Sequence, residues 1–283
     1  ETGAIVVVPH TESRETDLLM MPGMDGIEIY NFHANFDPKI RHDFLGLDYY
    51  GNTIDSLAYW IDPYSNEEPD MAFLSFFELS PVYARKWNSL IASGKRVFGV
   101  GGSDSHENTI RSRAHDGERA DSHRRMLRWM SNHYLVKEID LEQIKSALKA
   151  GRGWMVFEGL GTPVGMDFQA QVGSEIIGVG DSRAFVPGST TISIPLPTLH
   201  PDSPQSGARP DIAVRLKRVV PPDGDVIVAE SLNAPVQFAV TQPGAYRAEI
   251  SIKPIHLKRF LNYDREKAER EMPWIITNHL YIE

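Results

Sequence analysis

The stretch that decides the fold is RVFGVGGSDSH, residues 96–106. Its first part, Arg96 to Val100, predicts a short strand, because it is a mainly apolar run that stops at the glycine pair Gly101-Gly102. The polar residues Asp104 and His106 follow directly. In parallel α/β folds, functional groups collect where strands end at their carboxyl edge. The stretch therefore predicts a strand that delivers a carboxylate and an imidazole to such an edge.

Other strands and helices are predicted on both sides of this stretch. Ala4–Val8 is a continuous β-branched run, as expected for a strand buried on both faces, and Gly26–Tyr30 alternates apolar and polar residues. Pro81–Ser93 has apolar residues at helical spacing, and Asp140–Gly151 opens with a capping-box pattern and ends in glycine. Alternation of strands and helices indicates βαβ units and a parallel sheet.

A long stretch between these elements, Phe32 to Pro69, lacks a regular pattern and is rich in Asp, Asn and Tyr. Loops of this length are usually binding loops, lids or disordered segments. Because the stretch also carries many aromatic residues, a packed cover is favoured over disorder. We expect a lid.

The pattern changes at about residue 159, where Pro and Gly separate short alternating runs. Only one helical insert, Arg259 to Glu271, interrupts them. This pattern of short strands and turns predicts a small antiparallel β-sandwich. We therefore expect two domains, 1–158 and 159–283. The predicted strands are Met166–Ala170, Thr190–Ile194, Ile212–Val219, Val226–Glu230, Val236–Val240, Ala245–Ile252 and Ile275–Ile282.

The composition excludes several classes of protein. The 283 residues contain 29 basic and 38 acidic side chains, a net charge of −9, and no cysteine. Disulfide scaffolds, Cys-ligated zinc sites and iron–sulfur clusters are therefore excluded, and an acidic chain without a long basic block is a poor nucleic-acid binder. The longest uncharged apolar stretch, Met71–Phe77, is far shorter than the roughly 20 residues of a membrane span. The cellular compartment stays open.

Three predicted strands bring candidate metal ligands to one edge. His10 follows the first strand, Glu28 and Asn31 lie at the end of the second, and Asp104 and His106 follow the third. An Asp-x-His triplet arises readily by chance, so its position after a buried strand and a glycine pair carries the argument. The alternatives are a hydrogen-bonded histidine at position 10 and a solvated carboxylate at position 28. The pattern favours a His/carboxylate metal site.

Further polar residues are weaker candidates. His33 and His42 fall in the expected lid and could approach a substrate, although surface positions are the alternative. Arg111 and Arg113 follow the Asp-x-His triplet and could point back into the pocket. The basic run at residues 123–128 alternates with apolar residues as an amphipathic helix does, which favours a solvated basic face. The chain has no P-loop, no GxGxxG and no GxSxG, so nucleotide binding and an acyl-enzyme mechanism are not indicated.

The stretches Val6–His10, Asp25–Asn31 and Gly99–His106 together resemble the latter part of a PHP domain (polymerase and histidinol phosphatase), closest to the CehA/McbA-type metallohydrolases. Asp140–Phe157 and the strand-rich tail are similar to that layout as well. The resemblance implies an α/β fold: a partial distorted (βα)7 barrel followed by an antiparallel β-sandwich domain. The family's opening His-x-His strand has no counterpart in this chain, so we expect only part of the ligand set, through truncation or a missing-segment partner.

The resemblance also implies a site and a reaction. His10, Asp104 and His106 would hold two or three divalent metals in an intact relative, with Zn, Mn or Fe as candidates. Glu28 and Asp104 would be catalytic, and Asn31, His33, Arg111 and Arg113 would contact the substrate.

The expected function is therefore hydrolysis of a phosphoester, carboxylic ester or carbamate through metal-activated water. The alternative is a non-catalytic carbohydrate- or protein-binding module on a degenerate PHP scaffold. Because a partial barrel exposes strand edges, association with a second copy or another chain is also expected.

Overall fold

The computed structural model describes residues 3–49, 68–108, 110–204 and 207–283. The fold is mixed α/β with more strand than helix, which confirms the predicted class at that level. The α-helices of these residues are α1 (Thr16–Leu19), α2 (Phe32–Phe36), α3 (Pro38–Asp43), α4 (Pro81–Ala92), α5 (His123–Arg128) and α6 (Leu141–Ala150). Short 3-10 helices occur at Thr11–Ser13, Pro69–Phe76, Glu158–Leu160, Ile255–Phe260 and Asn262–Glu269.

The strands of the described residues form several sheets, parallel and antiparallel. The strands are β1 (Val7–Val8), β2 (Gly26–Asn31), β3 (Phe98–Gly102), β4 (Ser131–Tyr134), β5 (Gly153–Val156), β6 (Pro163–Val164), β7 (Gln169–Val172), β8 (Glu175–Gly178), β9 (Ser182–Arg183), β10 (Thr190–Ile194), β11 (Thr198–Leu199), β12 (Asp211–Val220), β13 (Gly224–Leu232), β14 (Val236–Ala239), β15 (Gly244–Lys253), β16 (Met272–Thr277) and β17 (Leu280–Ile282).

The parallel sheet has the order β1-β2-β3. Its central strand β2 is buried along its whole length, because α4 packs against it and neighbouring strands lie on both sides. Gly99 is needed in β3 for this packing, since a Cβ there would lie 2.8 Å from Ile29 Cδ1 and 2.9 Å from Trp87. The parallel pairing of these three strands confirms the βαβ prediction for this part of the chain.

The largest sheet has the order β13-β12-β15-β16-β5-β4, and β17 joins it through β15. A second antiparallel sheet has the order β14-β10-β7-β8. Strands from both sides of residue 158 share the large sheet, because β5 pairs with β16. The division into domains 1–158 and 159–283 stays a prediction.

Helix ends follow the capping signals of the sequence. Ser80 caps α4 by accepting the Val82 N–H, and proline occupies the first helical position. Asp140 caps α6 by accepting the Gln143 N–H at 2.9 Å, and Gly151 ends the helix with φ of 69°. Both helix predictions are confirmed.

Three expectations differ from the structure. The stretch Phe32–Pro69 is not one irregular loop, because Asn31 and Asp37 cap the two short helices α2 and α3; positions 50–67 of the expected lid lie outside the described residues. The run 275–282 is two strands, broken at Asn278 and His279. The insert Arg259–Glu271 forms 3-10 rather than α-helical turns.

A buried ion network joins the two halves of the chain. Arg247 is fully buried, and its guanidinium donates to Asp225, to Glu249 at 2.8 Å and to Asn88 of α4 at 2.7 Å. Buried charge is tolerated only when it is paired in this way. His279 lies beside the network, with Nε2 3.5 Å from Arg247 and its ring 4.4 Å from that of Trp87.

This environment predicts a pH-dependent stability. Burial, together with the positive charge of Arg247, holds the pKa of His279 well below its ordinary value. Between the unfolded pKa of about 6.5 and the lower folded pKa, only the unfolded chain binds a proton at this residue. We expect the free energy of unfolding to fall below about pH 6.5, with a share from His279 of up to about 1.4 kcal/mol per pH unit.

Urea unfolding between about pH 7.5 and 5.5 measures this slope. His279→Gln should reduce it, leaving the share of buried His256, whose pKa burial also lowers. His42→Gln is the matched control, because His42 is exposed. An unchanged slope in His279→Gln would refute the account.

Candidate functional site

Three imidazoles converge on one carboxylate at the carboxyl edge of the parallel sheet. His33 Nδ1 lies 3.1 Å, His10 Nε2 3.6 Å and His106 Nε2 3.9 Å from Asp104 Oδ2. His10 follows β1, His33 lies in α2 directly after β2, and Asp104 and His106 follow β3. The three strand ends thus supply one cluster, as parallel pairing requires. The predicted residues His10, Asp104 and His106 are brought together.

The backbone at this cluster is strained. His10, Asp104 and Glu107 have φ of 53°, 50° and 49°, and within the described residues Asn233 is the one other non-glycine residue with positive φ. Few non-glycine residues adopt this left-handed conformation, and Asp and His do so more readily than most. Strain of this kind persists where surrounding contacts impose it, and it concentrates at functional sites. Its concentration here supports a functional interpretation of the cluster.

A second group of ligand-type residues, Glu12 and Glu28, adjoins His10. The His10 N–H donates to Glu28 Oε2 at 2.8 Å, and His10 Nδ1 lies 2.9 Å from Glu12 Oε1. Because a carboxylate only accepts, Nδ1 carries the proton in this contact, and Nε2 faces Asp104. Burial opposes the charged imidazole, but the hydrogen bond to Glu12 and the nearby carboxylates raise the pKa of His10 above its ordinary value.

Glu28 is held in place by its neighbours. It is 6 % exposed, and burial raises its pKa, partly offset by the hydrogen bonds from His10 N–H and Asn31 Nδ2, the latter at 3.1 Å. Asn31 also accepts the Ala34 N–H and so begins the helix that carries His33. At position 102 a Cβ would lie 2.2 Å from Glu28 Oε1, so glycine is required for the approach of β3.

The turn that carries Glu12 is fixed by α4. Tyr83 Oη donates to Glu12 Oε2 at 2.7 Å. Burial, with the Glu12 charge beside it, holds the pKa of Tyr83 far above its usual range, so the phenol stays a neutral donor. Lys86 Nζ donates to the carbonyls of Thr11, Glu12 and Arg14 at 2.7, 2.8 and 2.6 Å. These contacts position the His10–Glu12 turn.

A narrow, open cleft with an enclosed volume of about 10 Å³ lies beside the cluster at His33, Asp104 and His106. Its apolar side is formed by Phe32, Phe36, Phe73, Ile110 and Met126. Two carboxylates, Glu107 and Asp121, line it as well, and the described lining residues include no lysine or arginine. The cleft suits an uncharged, partly apolar molecule.

The donor set fits a divalent cation. Ligand atoms of His33, Asp104 and His106 lie within 4.8 Å of one another, and so do those of His10, Glu12 and Glu28. Imidazole nitrogens and carboxylate oxygens are ligands for Zn, Mn and Fe. A cation would also offset the repulsion between the buried carboxylates of Glu12 and Glu28.

The remaining predicted residues lie in different places. His33, expected to contact substrate, lies within the cluster itself, and Asn31 supports Glu28. Arg111 and Arg113 are exposed and are not among the cleft-lining residues; Arg113 donates to the Gly117 carbonyl. The pocket position proposed for these arginines therefore lacks a structural counterpart among the described contacts.

The expectation of a solvated basic face at residues 123–128 is wrong for one residue. Arg125 is fully buried, and its guanidinium pairs with Asp70 and Asp116. The next residue of α5, Met126, lies in the core as well. The 3.6-residue period of the helix turns Arg125 inward, where two carboxylates compensate its charge.

Three residues of the site were missed in the sequence. Glu12 follows His10 by two positions, a spacing as informative as the Asp-x-His triplet. Tyr83 and Lys86 are three residues apart on α4, a spacing that places them on one face of the helix. That pattern could have indicated that this face meets a polar partner.

Comparisons with known proteins do not assign the chain to a family. No family model, no curated protein and no solved structure matches the chain. Within the described residues, no helix has the length and apolar character needed to cross a bilayer.

The Lys86 contacts predict a stability difference. Lys86→Met should lower the free energy of unfolding by about 1–3 kcal/mol, because three backbone carbonyls lose a charged donor. Lys145→Met is the matched control, since Lys145 lies on the surface of α6 and pairs with exposed Glu142, and its expected loss is below about 1 kcal/mol. Chemical denaturation compares the two variants, and equal losses would contradict a special role for Lys86.

Proposed function

We propose that the chain is a metal-dependent hydrolase of the PHP type that cleaves an uncharged carboxylic or carbamate ester. The observation that carries the proposal is the convergence of His10, His33 and His106 on Asp104 at the carboxyl edge of three parallel strands. The resemblance of Val6–His10 and Gly99–His106 to that family supports it independently of the geometry.

His10, His33, Asp104 and His106 would hold the cation, and Glu12 would orient His10. When bound, a divalent cation lowers the pKa of water and polarises the carbonyl of the ester. Glu12 keeps His10 in the tautomer whose Nε2 can bind. Buried Glu28 is the candidate to accept a proton from the attacking water, because its carboxylate is held beside His10 by the His10 N–H and Asn31.

The cleft favours a neutral ester over a phosphoester. A phosphate monoester carries about two negative charges and would face Glu107, with no described arginine or lysine on the cleft lining; the second lining carboxylate, Asp121, is paired with Arg119. The aromatic side of the cleft would instead bind an apolar group of the substrate and keep water from it.

The proposed architecture is the PHP-type one: a partial (βα)7 barrel containing β1, β2 and β3, followed by a β-sandwich. The location of the candidate ligands after the carboxyl ends of β1 and β3 is consistent with a barrel site. The alternative, a carbohydrate-binding sandwich, would favour exposed aromatic side chains. The large exposed hydrophobic residues described after position 158 are aliphatic.

Asp104→Asn tests the proposal. The amide keeps the shape of the side chain and tolerates the left-handed backbone, but it removes the charge on which three imidazoles converge. We expect bound zinc or manganese, measured by mass spectrometry after loading and desalting, to fall to background. Turnover of 4-nitrophenyl acetate should fall about 100-fold or more.

The control is Asp43→Asn, because Asp43 is an exposed carboxylate that also contacts a histidine, His42. It should keep the metal content and turnover of the unaltered chain. Metal content and turnover that survive in Asp104→Asn would sink the proposal, and faster hydrolysis of 4-nitrophenyl phosphate than of the acetate would contradict the choice of substrate class.

A further inference from the structure

A second cavity lies at the opposite end of β3 from the candidate metal cluster. It is lined by the start of the strand (Arg96 to Phe98), by the end of α6 (Lys149 to Gly151) and by residues near β9 and β17. Its volume is about 230 Å³, and it is open to solvent. The length of β3, roughly 13 Å between Phe98 and Gly102, separates it from the turn that carries Asp104.

Arg96 is held in a defined orientation at this cavity. The guanidinium carbon lies 3.5 Å from the centre of the Tyr281 ring, so the ring covers one face of the guanidinium. Its NH2 group pairs with the Glu283 carboxylate. Stacking on an aromatic ring fixes the planar fork, whose donors match the geometry of a carboxylate or phosphate.

The lining of the cavity is positive in an otherwise acidic chain. Arg96 and Lys149 contribute two positive charges to the lining, and the Glu283 carboxylate pairs with Arg96 from outside the described lining residues. Lys149 lies in the last turn of α6, where its charge offsets the partial negative charge of the helix end. Lys149 therefore contributes to the field in the cavity, while Arg96 supplies directed donors.

Other polar groups line the same cavity. Ser182 and Asn278 line the cavity, and His279 contributes a fully buried ring whose Nδ1 has no hydrogen-bond partner. The side chain of Asn278 already bonds the backbone, since its Oδ1 accepts the Gly99 N–H at 2.6 Å. Ser182 and Arg96 are thus the side chains that are best placed to meet a ligand.

We propose that this cavity binds a small oxyanion, a carboxylate or a phosphate, on the guanidinium of Arg96. Glu283 marks the position of a carboxylate partner. Both members of that pair are about half exposed, at 44 % and 58 %, and exposed ion pairs contribute little to stability. An incoming anion can therefore displace Glu283 and gain the fixed donors of Arg96. The site is independent of the candidate metal centre and of the hydrolase proposal.

Titration calorimetry on chelator-treated full chain tests the proposal with two probes, inorganic phosphate and acetate, each raised to about 10 mM, where sites with millimolar dissociation constants are detected. Saturable binding of either probe supports the proposal, and the better probe identifies the oxyanion. Arg96→Gln should weaken binding at least 10-fold. Glu283→Gln should tighten it several-fold, because it removes the competing carboxylate.

Lys145→Gln is the matched control, since Lys145 is a surface cation of α6 outside the cavity lining and should leave the affinity unchanged. The opposite signs expected for Arg96→Gln and Glu283→Gln keep the test decisive even if one variant folds poorly. Failure of both probes to bind, or weaker binding in Glu283→Gln, would overturn the proposal. Unchanged phosphate affinity in Asp104→Asn is expected, because the two sites are separate.

Discussion

The parallel pairing of β2 with β1 and β3 is the constraint on which the candidate site depends. Val8 pairs with Ile27 and Asn31 pairs with Gly102, so the chain leaves β1 and β3 at the same edge of the sheet. His10 and Asp104 each lie two residues beyond the end of their strand. A one-residue slip in register would turn these side chains to the other face. Close packing at Gly99 and Gly102 opposes such a slip. A residue with a side chain at either position would overlap Ile29 or Glu28.

The electrostatics of the site explain why two side chains of α4, Tyr83 and Lys86, contact it. Glu12 and Glu28 are almost fully buried, and an unpaired buried carboxylate is strongly unfavourable. Tyr83, Asn31 and the His10 N–H supply donors to these carboxylates, and Lys86 binds the adjacent carbonyls. The donors to the carboxylates are neutral groups, so the negative charge of the carboxylates remains at the site. A divalent cation would balance this charge. The acidic net charge and the absence of cysteine are both consistent with a site of this chemistry.

Much of the fold was predictable from local signals. The caps of α4 and α6 and the strand at Thr190–Ile194 follow from capping residues and alternation that act over a few positions. Local signals also placed His10, Asp104 and His106 at strand ends. The division of residues 275–282 into two strands was less visible, because Asn278 and His279 are turned by contacts with Gly99 and Gly180, far away in sequence.

The unpredicted parts depend on long-range contacts. His33 joins the cluster because Asn31 begins a helix and bonds Glu28 at the same time, and neither role was predicted from the sequence. Arg125 is buried because Asp70 and Asp116, distant in sequence, compensate its charge. The prediction of an irregular loop was wrong for residues 32–43, because Asn31 and Asp37 cap two short helices there and Phe32 packs into the core with Phe73 and Phe76. Aromatic content indicated packing correctly but not the partner.

The most direct test of the central claim, that these side chains form a cation site, is a crystal of the full chain grown with zinc and measured at the zinc absorption edge. The account predicts an anomalous difference peak about 2.0–2.2 Å from imidazole nitrogens and from the Asp104 carboxylate. A crystal that binds zinc elsewhere, with no peak between His10, His33, His106 and Asp104, would contradict it.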